Sequence, residues 1–169
     1  MLHQSLRLSQ AKSGMSQGIY AIEPIHKGSI VWAPEENAQI LSWTAICNLP
    51  KSQKESFLKY GFQCGDDQFS NPCDISRHIN HSCNPNCGWN PYFRLVAIKD
   101  ILASEQATYD YSSNDFDIPF RFECNCQELN CRLIISNRDH LLEGIRFYYV
   151  DEPPAYIKSR RASINSNSS

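Results

Sequence analysis

Three cysteines fall within eight residues, Cys124-Asn125-Cys126-Gln127-Glu128-Leu129-Asn130-Cys131, a C-x-C-x4-C run. Thiols this close in sequence bridge one another only with strain, because a disulfide needs correctly spaced Cα atoms and converging Cβ vectors. The run therefore favours a metal over disulfides. A structural zinc takes four thiolate or imidazole ligands at tetrahedral corners, so the run is one ligand short. Sulfurs about 3.8 Å apart around one ion require a bent backbone, and Asn125 tolerates the dihedrals of such a bend. The remaining cysteines are Cys47, Cys64, Cys73, Cys83 and Cys87. Cys83 and Cys87, in a loop rich in Asn and Pro, are the first candidates for the fourth ligand, followed by Cys73 and Cys64; spacing does not choose among them. Cys47 and Cys64 read as reduced, buried small hydrophobes.

The chain has 169 residues, enough for one domain with a real core. Sixteen basic against 18 acidic residues leave a net charge of −2, without the basic footprint that nucleic-acid binders carry. No apolar run approaches the ~18 residues needed to span a bilayer, and the opening MLHQSLRLSQAKSG has no apolar stretch resembling a signal peptide. These features predict an intracellular protein with neither nucleic acid nor membrane as partner; export to a host cell is the other destination left open.

Residues 5–33 alternate as short strands, with His26-Lys27-Gly28 as a turn. Pro50 opens a short helix carrying Phe57, Leu58 and Tyr60 and ending near Gly61. Residues 70–92 read as a loop, Phe93–Ile98 and Ala107–Tyr111 as strands, and Arg138–Arg146 as a last helix. Lys158–Ser169 has the composition of a disordered tail. Short strands with polar chemistry on loops predict a mainly β fold with few short helices.

Read together, separate motifs are more specific than any alone. Arg77-His78-Ile79-Asn80-His81-Ser82-Cys83-Asn84-Pro85-Asn86 has the form R-x-x-N-H-S-C-x-P-N, and Glu105-Gln106-Ala107-Thr108-Tyr109-Asp110-Tyr111 follows it. The cysteine run then closes with Arg132, while Gly18-Ile19-Tyr20-Ala21 and the Lys27-Gly28 turn lie upstream. His81 beside Ser82 is not the mark of a hydrolase, because there is no G-x-S-x-G elbow. From about residue 6 to 135 this order resembles the SET domain of protein-lysine methyltransferases with its post-SET zinc-binding segment.

The resemblance implies a SET fold in which the N-H-S-C loop and the Tyr-Asp-Tyr strand form a pseudoknot, an exception to unthreaded topology. It implies S-adenosylmethionine as cofactor, met by Ser16, Gly18, Tyr20, Arg77, Asn80 and His81, with Phe122 near the adenine. Cys83 would complete a zinc site with Cys124, Cys126 and Cys131, leaving Cys87 without a task. Tyr111 would orient the acceptor amine and the methyl group, and a tyrosine at 109 implies mono- or dimethylation. The substrate would be a lysine-containing protein or peptide such as a histone tail. Acidic residues at 105, 110, 115, 117, 123 and 128 offer a patch that would attract one. The implied divisions are a SET domain at 6–120 with a variable insert at 43–70, a post-SET segment at 121–135, an extension at 136–157 and a tail at 158–169. The pattern departs from the family at Ser16, where the cofactor loop has glycine, at Ser104, where the turn before the tyrosine strand has glycine, at Ala107, and at Leu133, which ends the common C-R-G. The other reading is a degenerate SET domain that binds a peptide or partner without turnover.

Overall fold

The computed structural model describes residues 1–10, 17–142 and 148–166. Short strands dominate it. β1 (Leu6–Gln10) and β2 (Gln17–Ala21) form an antiparallel ribbon in which Leu6 lies opposite Ala21 and Ser9 opposite Gly18. β3 (Ile30–Trp32) and the later β8 (Cys87–Trp89) flank β9 (Leu95–Ala97) in an antiparallel sheet. A second antiparallel sheet takes β4 (Ile40–Leu41), β5 (Phe62–Gly65) and β6 (Gln68–Ser70), with β6 central. Between its strands lie α1 (Trp43–Cys47), capped by the Ser42 hydroxyl accepting from the Ala45 N–H, and α2 (Lys51–Tyr60). Pro50 leads into α2, Phe57 turns inward, and Lys59 sits in the last turn, where a cation suits the helix dipole.

The two signature stretches meet. β7 (Asn80–His81) runs parallel to β10 (Thr108–Tyr109), with Asn80 opposite Thr108 and His81 opposite Tyr109. Such pairing of segments far apart in the chain is what the pseudoknot topology needs. β11 (Arg121–Glu123) and β12 (Ile134–Ser136) form a last antiparallel pair that brackets the cysteine run. The main core lies beneath β1–β3, β8 and β9 and holds Leu6, Ile19, Val31, Trp32, Trp89, Leu95 and Ile101.

Several local expectations are corrected. The strand expected at 107–111 ends at Tyr109, because the Asp110 side chain accepts from the Ser112 N–H at 3.1 Å and curls Tyr111–Ser113 into a 3-10 turn. The loop expected at 70–92 contains β8, all three residues of which are buried. A 3-10 turn at Asp139–Leu141 stands where the last helix was expected; residues 143–147 of that span lie outside the described residues. The tail expected to be disordered from 158 instead belongs, up to 166, to α3 (Ala155–Ser166). Composition misjudged it because α3 is anchored by its first two turns: Ile157 is fully buried, the Tyr156 hydroxyl donates to Asn114, and Arg160 pairs with Asp117. Cys47 is exposed rather than buried, and Cys64 is half-buried against the core.

The glycine departures have a backbone signature. Ser104 and Leu133 adopt φ +68° and +65°, in the left-handed region where a Cβ is strained, whereas the turn at Gly28 (φ +88°) keeps its glycine. Ser104→Gly should therefore raise unfolding stability by about 0.5–1 kcal/mol in urea titration; an unchanged or lower midpoint would contradict a strained turn.

Candidate active site and cysteine cluster

A train of rings leads from the core to the tyrosines. Trp89 stacks on Phe93 at 4.6 Å and meets Tyr109 edge-on at 5.5 Å, and Tyr109 lies 4.8 Å from Tyr111. Tyr111 in turn contacts His81 at 5.4 Å, Phe122 at 5.9 Å and Phe120 at 6.2 Å. Such offset contacts fix ring orientation as well as burying area. The Tyr111 hydroxyl donates to the Ile79 carbonyl at 3.0 Å. Burial, with the charge of Asp115 adding to it, raises both phenols well above their usual pKa, so neither is an anion near neutrality.

Two hollows meet at Tyr111. One, of about 170 Å³, is mostly apolar and is lined by Tyr60, Phe62, Ile79, Trp89, Tyr109 and Phe120 among others. The other, of about 550 Å³, is a polar cleft walled by Asn80, His81, Gln106, Thr108, Glu123 and Asn125 among others. Tyr111 and Phe122 line both. The cleft has the volume of a small-molecule site. Gly18 packs against two residues of its wall: a Cβ there would fall 1.9 Å from the Gln106 amide and 3.0 Å from that of Asn80. The Asn80 amide donates to the Gln17 carbonyl at 2.9 Å, locking the strand edge. Burial lowers His81 to about 4 despite the nearby Asp110, so the ring is neutral and its 3.5 Å approach to Asp110 is not an ion pair. Its Nδ1 accepts from the Tyr111 N–H at 3.3 Å, which puts the ring proton on Nε2, 3.3 Å from the Cys83 sulfur.

Of the other residues expected to meet a cofactor, Tyr20 sits on β2, bridged to Gln106 behind the cleft, and Ser16 lies outside the described residues. Arg77 is on the other side. It lines the apolar hollow, donates to the Pro72 carbonyl through Nε at 2.9 Å and covers the Tyr60 ring at 4.9 Å. Its Nη2 donates to the same carbonyl, so two of its N–H groups share one acceptor.

Cys83, Cys124, Cys126 and Cys131 converge, their sulfurs all within 4.8 Å of one another. The Cys83–Cys124 separation is 3.9 Å, close to the edge of a Zn–S4 tetrahedron, about 3.8 Å. Backbone N–H groups of Arg132 and Leu133 point at the sulfurs of Cys83 and Cys131, both at 3.4 Å, as they do around metal-bound thiolates. Burial pushes the Cys83 thiol up to about 11 and Cys124 higher, while at Cys126 burial is outweighed by hydrogen bonds that lower it, so Cys83 and Cys124 ionise readily only beside a cation. Donor type, number and spacing all fit zinc. Cys87 is separate, fully buried on β8 beside Asn86.

The acidic residues do not form one patch. Asp110 is buried against Arg132, Asp115 is buried, Asp117 pairs with Arg160, and Glu105 accepts from the Asn86 amide at 3.0 Å. Glu105, Glu123 and Glu128 line the cleft, and Glu128 accepts from the Asn84 amide at 3.2 Å. Sequence reasoning missed Arg132, which grips Asp110 through two N–H groups at 2.7 and 2.8 Å and Asp139 at 3.0 Å. It also missed Asn86, whose side chain bonds to Glu105, Gln106 and Thr108. The signal was present in both cases: an arginine directly after the last cysteine, and the closing Asn of the N-H-S-C-x-P-N string.

Comparison with known proteins agrees with this geometry. The chain is 28% identical over 127 residues to Histone-lysine N-methyltransferase trr of Drosophila melanogaster, covering 68% of this chain and 5% of that protein. It is 25% identical over 158 residues to Histone-lysine N-methyltransferase Su(var)3-9 of Drosophila pseudoobscura pseudoobscura, 77% of this chain and 25% of that one. Over 66 residues it is 39% identical to the H3 lysine-4 specific histone-lysine N-methyltransferase of Saccharomyces cerevisiae, 34% of this chain and 6% of the relative. The chain thus spans only a small part of these relatives' length. The family model described as SET domain matches residues 16–112, more than half of the chain and the stretch holding both paired signatures, so the chain belongs to the SET domain family.

Proposed function

We propose that this chain transfers methyl groups to the ε-amine of lysine in protein substrates. One observation carries the reading: Tyr111 stands in the common wall of a polar cleft and an apolar hollow, so a donor in one faces an acceptor in the other. S-adenosylmethionine, when bound, supplies a methyl group on a positively charged sulfur. Asn80 and His81, the backbone at Gly18, the neighbouring Tyr20 and the Phe122 ring are the residues assigned to hold it, together with Ser16. What remains for the protein is alignment, because an in-line displacement needs the amine lone pair opposite the leaving sulfur.

The acceptor side has a second task. A lysine amine has a reference pKa near 10.4, and a hollow lined by Phe62, Ile79, Trp89 and Phe120 disfavours its charged form by desolvation. Tyr111 acts as an oriented dipole rather than a base, since its own proton is held more tightly than usual. Tyr109, 4.8 Å from it in the same hollow, adds a second hydroxyl that narrows the space for an already methylated nitrogen. We assign mono- or dimethylation on that basis. A histone tail is the first substrate to try, given what the relatives are named for, and an intracellular location goes with it. The cysteine cluster, holding Zn2+, pins β11 and β12 against Cys83 and so closes the cleft.

Tyr111→Phe should lower turnover about 100-fold or more, with S-adenosylmethionine binding by calorimetry unchanged; full activity would refute the assignment. Tyr109→Phe should shift mass-spectrometric products toward higher methylation states. Metal analysis should find one zinc per chain, and chelation should remove on the order of 10 kcal/mol of folding free energy, seen as a collapse of the thermal transition together with activity. Cofactor binding without methylation of any protein in a labelled-cofactor assay would instead identify a degenerate, binding-only domain.

A further inference from the structure

The apolar hollow contains a group that the methyl-transfer reading does not use. Asp115 is the one acidic residue among the described residues lining it, and it is only 5% exposed. Its hydrogen bonds, from the Gln63 N–H at 2.7 Å and the Asn114 amide at 3.0 Å, both fall on Oδ1. In the same wall the Trp89 indole N–H is buried with no acceptor among the described residues. A buried carboxylate with a hydrogen bond on only one of its oxygens is costly unless a cation comes to the other.

We propose that Asp115 Oδ2 receives the ammonium of the substrate lysine within this hollow and takes one of its protons. This rests on the methyl-transfer reading and assigns the proton's destination. An N–H bond of the ammonium breaks and an O–H bond forms on Oδ2. The nitrogen keeps the electron pair with which it attacks, and the proton passes to water as product leaves. The same dry surroundings that disfavour the ammonium disfavour the carboxylate, so the uncharged pair of amine and acid is the form the hollow stabilises.

The neighbours leave this exchange to Asp115. Cys64 on β5, Tyr109 on β10, Tyr111 in the 3-10 turn and Tyr156 on α3 all have raised pKa values and stay neutral near pH 7. Asp110 is engaged by Arg132 and Asp117 by Arg160. The basic groups of the hollow, Arg77 and Lys59, both lie against the Tyr60 ring. Burial raises Asp115 to about 7, against the pull of its hydrogen bonds from Gln63 and Asn114.

The test uses the whole zinc-loaded chain with n-butylammonium, the end of a lysine side chain, as probe. The Asp115 carboxyl resonance, assigned through backbone correlations in 13C-labelled protein, should titrate near neutrality. n-Butylammonium should raise its midpoint by about one unit or more, because the proton it delivers keeps the carboxyl neutral beside the amine, while n-butanol, similar in shape and uncharged, should not. In turnover, Asp115→Asn, which keeps the Oδ1 acceptor for Gln63, should lose about tenfold at pH 7. The wild type should show a rise in kcat/KM through about pH 7 as Asp115 ionises, and the variant should lack it. A midpoint that ignores n-butylammonium overturns the proposal whatever the turnover. A midpoint that moves in a protein that methylates nothing keeps the ammonium site and removes the methyl-transfer reading.

Discussion

A half-buried arginine holds the site together. Arg132 follows the last cysteine of the cluster, donates its own N–H to the Cys83 sulfur, and sends its guanidinium to Asp110, between the two tyrosines, and to Asp139 beyond β12. Burial works against its charge, and the hydrogen bonds and charge of Asp110 overcome that and keep it protonated. Asp110 is fully buried, so without this partner it would be an uncompensated charge, a defect worth about 3–5 kcal/mol. The Asp110 carboxylate also caps the turn that presents Tyr111. Metal cluster, tyrosine turn and C-terminal segment are therefore mechanically one unit, and disturbance of any one reaches the other two.

The second constraint is aromatic. The rings from Trp89 through Tyr109 to Tyr111 continue the core into the site without a break, so the tyrosines are set by packing rather than by loop conformation. Where that packing ends, at Tyr111 and Phe122, the molecule divides its interior into a polar cleft and an apolar hollow. Chemistry that needs a charged donor and a desolvated acceptor in line finds both environments a side chain apart. The C-terminal segment supports the division: the Tyr148 hydroxyl donates to the Cys83 carbonyl at 3.0 Å and that of Tyr149 to Ser113 at 2.7 Å.

Much of this was legible in the residues. The cysteine run pointed to a four-thiolate metal site, and the N-H-S-C resemblance selected Cys83 over Cys87; the two differ because Cys83 lies after β7, facing Cys124, while Cys87 is buried in β8. The missing glycines at 104 and 133 were visible as departures, and both positions have left-handed backbone. Other features were not legible. Acidic residues at 105–128 look like a patch when counted along the chain, yet most are committed to partners elsewhere, Asp117 to Arg160 and Asp115 to Gln63. The tail's polar composition concealed Ile157 and Tyr156, which suffice to seat a helix.

By itself the sequence determined those features whose causes are local: turn residues, strand alternation, ligand spacing and the identity of the reacting groups. Only the tertiary structure decided which residues share an environment. Asp115 meets Gln63 from 52 positions away and Arg132 meets Asp110 from 22. Whether a carboxylate is solvated, paired or aimed into a dry hollow depends on what the fold packs around it, because burial and neighbouring charge, rather than residue type, set its free energy.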